Sequence, residues 1–83
     1  MRGLLKKYIL QSLDRANGLP FVESNLAQAV KLMARPAIPT SADVALALAE
    51  CESEGYVSGI TDEFTHEKTW TLTEKGKHRV ANL

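Results

Sequence analysis

The stretch Gly55–Gly76, GYVSGITDEFTHEKTWTLTEKG, decides the fold. Its opening, Tyr56 to Ile60 (YVSGI), and its close, Lys68 to Thr73 (KTWTLT), are rich in β-branched and aromatic residues, which suit a pleated, half-buried surface. The second of these alternates strictly, with Trp70 and Leu72 on one side and Thr69, Thr71 and Thr73 on the other, as a strand with one inward face must. The polar run between them, TDEFTHE, is too long for a tight two-residue turn and reads as a hairpin loop. A lone hairpin is marginal in water, so this one needs a helical surface to pack on. Trp70 and Leu72 supply the packing face.

Upstream, the period changes to that of helices. In residues 3–16, Leu5, Ile9, Leu13 and Ala16 recur on one face, while Lys7, Gln11, Asp14 and Arg15 fall opposite. Asn17-Gly18 ends this first helix, because glycine enters the left-handed region freely, and Pro20 blocks its resumption. A second helix over residues 23–34 carries Leu26, Val30, Met33 and Ala34 inward and Gln28, Lys31 and Arg35 outward; it closes at Arg35-Pro36, since a residue before proline avoids the helical region. The loop PAIPTS then delivers Thr40 or Ser41 as an N-cap. If Thr40 is the cap, Asp43 completes a capping box and complements the helix dipole. The third helix runs to Ser53 or Glu54, and Gly55 is its stop.

Downstream, TEKGKHRVANL predicts a short final helix or tail, with Thr73 as cap, Gly76 weakening the interior, and Val80 and Leu83 as anchors. The whole chain, residues 1–83, fits one mainly α domain with a small β-hairpin: three helices, a two-stranded wing and a short C-terminal helix or tail.

The run from Val44 to Gly76, with Gly55-Tyr56-Val57 leaving the third helix and Trp70-Thr71-Leu72-Thr73-Glu74-Lys75-Gly76 closing the hairpin, resembles the winged helix-turn-helix domains of MarR-like and PadR-like bacterial regulators. The helix order before it agrees. The resemblance implies a third helix that lies in the major groove of DNA and a wing set against phosphate or the minor groove. It leaves Trp70, Leu72, Thr73 and Gly76 with structural roles, since function belongs to sites and not to folds. The resemblance implies a long additional helix as the usual dimerising extension, and residues 74–83 after the wing are too few for one, so a dimer is expected to use the first helix, the third helix or the short tail.

At about 100° per residue, Val44, Leu48 and Cys51 form the inward face of the third helix, and Ala42, Ala45, Leu46, Ala49 and Ser53 the outward one. Four of those five outward residues are apolar. Reading base edges takes donors and acceptors, and alanine offers only contact with a thymine methyl group. Asp43, Glu50 and Glu54 on one flank and Glu52 on the other oppose a phosphate field unless they are neutralised. A helix apolar on both faces points instead to an interface, with Ala42, Ala45, Leu46 and Ala49 meeting a protein partner or a second copy and Leu46 as the anchor.

The candidate nucleic-acid contacts lie elsewhere: Gln28, Lys31 and Arg35 on the second helix, Ser41 at the start of the third, Lys68 at the base of the wing, and Lys75, Lys77 and Arg79, with His78, after it. A short basic run is also an ordinary solvated face. The wing tip holds three acids, and His66 is its only phosphate donor when protonated. Phe64 there is expected to fold back on its own hairpin.

Ten Lys and Arg balance ten Asp and Glu, so any attraction to phosphate or to an anionic membrane must be local. One cysteine excludes an internal disulfide and suits a reducing cytoplasm. There is no apolar run long enough for a membrane span, no signal peptide, no glycine-rich phosphate loop and no metal-binding spacing of histidines. Cys51 reads as a core residue. No catalytic residue, metal, cofactor or small-molecule ligand is expected. Two functions remain open: a small DNA-binding transcription regulator whose partner is double-stranded DNA, and a winged-helix interaction or dimerisation module.

Overall fold

In the computed structural model, which describes residues 2–83, the chain runs α1 (Arg2–Arg15), β1 (Phe21–Val22), α2 (Glu23–Met33), α3 (Ser41–Ser53), β2 (Val57–Thr61), β3 (Lys68–Leu72) and α4 (Glu74–Ala81). The hairpin is present as β2 and β3, with Gly59 opposite Trp70 and Val57 opposite Leu72. The sheet has a third strand where two were expected: β1 lies on the other edge of β3, pairing Phe21 with Trp70 and Val22 with Thr69, so the antiparallel order is β1-β3-β2. Two residues are too few to show alternation, and what makes Phe21-Val22 a strand is a partner almost fifty residues away.

The helix ends form as their residues dictate. Asn17 and Gly18 take positive φ after α1. At the start of α3 the Thr40 hydroxyl accepts from the Asp43 N–H at 3.1 Å while the Thr40 N–H donates to the Asp43 carboxylate at 2.9 Å, so the capping box is complete. At its end Gly55 sits at φ +84°, the Gly55 N–H reaches the Glu52 carbonyl and the Tyr56 N–H reaches back to the Cys51 carbonyl at 2.9 Å. That pair of bonds turns the chain from α3 into β2.

The core joins Leu5, Ile9 and Leu13 of α1 to Leu26 and Val30 of α2, to Val44, Leu48 and Cys51 of α3, and to Val57 and Trp70 of the sheet. Each full burial of a large apolar side chain contributes about 1.5–3 kcal/mol. Because α1 packs against α2, α3 and α4, its buried arc is wider than one helical face: Leu10 is buried as well, and so is Ser12, whose hydroxyl meets Met33 Sδ at 3.3 Å. Trp70 fastens the sheet to the helices by its polar end too, donating from Nε1 to Glu23 Oε1 at 2.9 Å.

Residues 74–81 form a helix, and Thr73 caps it by accepting from the Gly76 N–H at 3.1 Å while its hydroxyl donates to the Gly55 carbonyl. Gly76 does more than weaken that helix. A Cβ there would lie 2.1 Å from the Tyr56 carbonyl oxygen, so only glycine lets the first turn of α4 pass this close to the chain leaving α3. Val80 packs against the core as expected, but Leu83 stays 48% exposed and anchors nothing. It stands two residues past the end of α4, where the turn no longer directs it inward.

Candidate nucleic-acid interface

The two sides of α3 are sharply divided. Val44, Ala47, Leu48 and Cys51 are at most 1% exposed, while Ala42, Ala45, Leu46 and Ala49 all face solvent and Leu46 retains 55% of its surface. Ala47, absent from the sequence-based inward set, completes that face at the position i+3 from Val44. Burial pushes the Cys51 thiol up to about 11, so it stays protonated and acts as a small apolar residue. The outward face offers no side-chain donor along its middle. At its start, Ser41 receives a hydrogen bond from Lys31 Nζ at 3.1 Å, which fixes one ammonium beside the helix N-terminus.

The acidic flank is turned toward α1. Lys6 Nζ lies 2.5 Å from Glu54 Oε1 and 3.6 Å from Glu50 Oε2, a half-buried bridge across the two helices. The contact with Glu54 raises the Lys6 pKa above its ordinary 10.5, and the second carboxylate adds to it, outweighing desolvation. Two of the carboxylates that would repel phosphate are therefore matched by a cation of the same molecule. Nothing in the spacing of Lys6 suggested this, because it depends on how α1 crosses α3.

The structure divides the eight candidate contacts instead of gathering them into one patch. Lys31 and Ser41 stand together at the start of α3. At its other end, Lys75 Nζ donates to the Glu54 carbonyl at 2.7 Å and lies over the Tyr56 ring at 5.2 Å from its centroid. Lys68, on the wing, sits over Trp70 at 4.6 Å. Gln28 and Arg35 line an apolar hollow beside α2 with Leu32 and Ile38, and Lys31 borders it too. Residues two apart on a helix diverge by about 200°, so α4 sends Lys77 toward Asp14 and Asn17 near the end of α1 and Arg79 toward Gly3 and Lys6 near its start. Lys75, Lys77 and Arg79 are neighbours in sequence and not in space. Thus α3, about 20 Å long at 1.5 Å per residue, has a lysine at each end and an apolar outer face between them.

The wing loop is ordered from within. Asp62 Oδ1 accepts from the N–H groups of Phe64 and Thr65 at 2.8 and 2.9 Å, and its N–H donates to the Glu67 carbonyl. Those two bonds lower the Asp62 pKa, so the tip keeps its negative charge. Phe64 does not fold back on the hairpin: it is 85% exposed, because the Asp62 turn takes up the loop and aims residue 64 away from the strands.

Among the described residues, no group of three or more His, Cys, Asp or Glu could hold a metal ion, and no helix is long and apolar enough to cross a membrane.

The fold is the winged helix found in PadR-like regulators. It superposes on a PadR family transcription regulator of Clostridium difficile R20291 with a TM-score of 0.73 at 18% identity, covering 94% of this chain and 80% of that one. A solved structure from Thermoplasma acidophilum superposes equally well, with a TM-score of 0.73 at 19% identity, over 98% of this chain and 75% of that one. No protein-family model and no curated protein matches the sequence.

Proposed function

We propose that this chain is a single-domain winged-helix DNA-binding protein of the transcription-regulator type. It holds duplex DNA chiefly through phosphates and groove shape, and little through base edges. The observation that carries this reading is α3: a helix-turn-helix second helix with its outer face open to solvent, with Lys31 and Ser41 at one end and Lys75 at the other. Two further facts support it. A solved structure of the same fold is described as a PadR family transcription regulator, and Lys6 offsets Glu50 and Glu54, which would otherwise weaken phosphate binding.

Lys31, Lys68 and Lys75 are the residues this reading assigns to phosphate, with Ser41 as a neutral donor. Gln28 and Arg35 flank them on α2, and Lys77 and Arg79 add a more distant positive field. With about three or four phosphate contacts, the logarithm of the binding constant should fall with the logarithm of salt at a slope of about −3. Lys31→Glu combined with Lys75→Glu should abolish binding while the thermal midpoint stays near that of the parent. Unchanged binding by that double variant would refute the assignment.

A second reading rests on Leu46, which keeps 55% of its surface exposed among Ala42, Ala45 and Ala49. Such a face suits a winged-helix interaction or dimerisation module. Leu46→Glu should then release a partner or a second copy with the fold intact. Unchanged mass in solution and an unchanged set of captured proteins would count against it.

A further inference from the structure

Two surface features outside α3 complement each other. The first is an open hollow of about 830 Å³ beside the C-terminal half of α2 and the turn that follows it. Its floor and walls are Leu32, Pro36 and Ile38, with Leu32 58% and Ile38 91% exposed. Its rim carries Lys31 and Arg35, and no carboxylate lines it. A smaller hollow shares Leu32 and adds Arg15. Neither Arg15 nor Arg35 has an ion-pair partner among the described residues. The site is apolar at its centre and cationic at its edge, and its carboxylate-free rim leaves Arg35 without an ion pair among the described residues.

The second feature is the wing tip. It projects Phe64 on a loop pre-ordered by the Asp62 side chain, with Asp62, Glu63 and Glu67 around it. It is apolar at its centre and anionic at its edge, the reverse of the hollow. Two hollows face to face would set cations against cations, so charge selects against a symmetric contact of that surface with itself. A carboxylate-bearing wing is also poorly suited to phosphate, which leaves the tip without a role in DNA binding.

From this complementarity we infer that the wing tip of one chain docks into the α2 hollow of a second copy, with Phe64 against Leu32 and Ile38 and the wing carboxylates beside Lys31 and Arg35. The hollow has ample room for one phenyl ring, which buries about 150–250 Å². A contact of this size is smaller than a standard stable interface, so the association is weak and appears at high protein concentration and low salt. It joins two different patches, and that makes it separable by complementation.

Sedimentation equilibrium over a concentration series tests it, using Phe64→Ala and Leu32→Asp, both exposed positions at which the fold should survive. The parent should self-associate and each variant alone should remain monomeric. An equimolar mixture of the two should associate again, because the intact wing of Leu32→Asp meets the intact hollow of Phe64→Ala. A parent that stays monomeric at every concentration would overturn the proposal and leave the hollow to another kind of ligand. Variants that still associate, or a mixture that does not, would overturn it equally. Association abolished by Leu46→Glu and untouched by Phe64→Ala would place the interface on α3 instead. Because Lys31 serves both this contact and the phosphate assignment, duplex binding by Phe64→Ala is compared with the parent at protein concentrations below the association range, where the two should agree.

Discussion

The inward and outward faces of α3 are made of nearly the same residue types and end in opposite surroundings. Val44, Ala47, Leu48 and Cys51 are sealed against α1 and the sheet, whereas Ala42, Ala45, Leu46 and Ala49 meet solvent. Polarity therefore does not orient this helix. Its rotation is set by what holds its two ends, the Thr40–Asp43 box and the Gly55 turn, and by the shape of the α1 surface beneath it. A helix held in this way is free to present an apolar outer face, and such a face cannot read base edges well.

The comparison breaks most visibly if the two leucines are exchanged for alanine one at a time. Leu48→Ala removes a side chain at 1% exposure and should cost about 2–5 kcal/mol. Leu46→Ala should stay within about 0.5 kcal/mol. Urea unfolding midpoints at constant m-value check both, and equal losses would mean the outer face is packed after all.

Next comes the junction that holds the chain leaving α3. Gly76→Ala should improve the intrinsic helix propensity of α4 by about 1 kcal/mol. It drives a Cβ into the Tyr56 carbonyl, however, and overpacking of this sort costs about 1–3 kcal/mol. A net loss in thermal stability is expected, and a gain would show that α4 does not need this close approach. At the other end of α3, Thr40→Ala should cost about 1 kcal/mol through the cap alone.

The smallest effect belongs to the bridge between α1 and the acidic flank. Lys6→Gln should cost less than about 1 kcal/mol, because the pair is partly solvated. Since the folded-state pKa of Lys6 is raised, its contribution is fully present below the ordinary lysine value of 10.5 and fades as pH climbs through the higher folded value. The stability gap between parent and Lys6→Gln should thus be constant near neutrality and close in strong alkali.

Much of this was legible in the residues. The strict alternation of Lys68–Thr73, the Thr40–Asp43 box and the Asn17-Gly18 and Gly55 stops are local signals, and the winged-helix succession from Val44 to Gly76 tied them into one fold. What was not legible depends on pairs far apart in the chain: β1 against β3, Glu23 against Trp70, Lys6 against Glu54, Gly76 against Tyr56. The candidate site shows the same division. That Ala42, Ala45, Leu46 and Ala49 share a face follows from helical period alone, but the scattering of Lys75, Lys77 and Arg79 around α4 needs the helix boundary and its packing on α1.

The central claim is that this protein holds duplex DNA through phosphates while the outer face of α3 discriminates little among sequences. It is tested most directly by titrating two unrelated duplexes across a range of salt, from about 50 to 200 mM. The account predicts measurable binding at the low end, a steep and similar loss with salt for both duplexes, and nearly equal affinities. Absence of binding at about 50 mM salt, or a preference of a hundredfold or more for one duplex at equal salt, would contradict it.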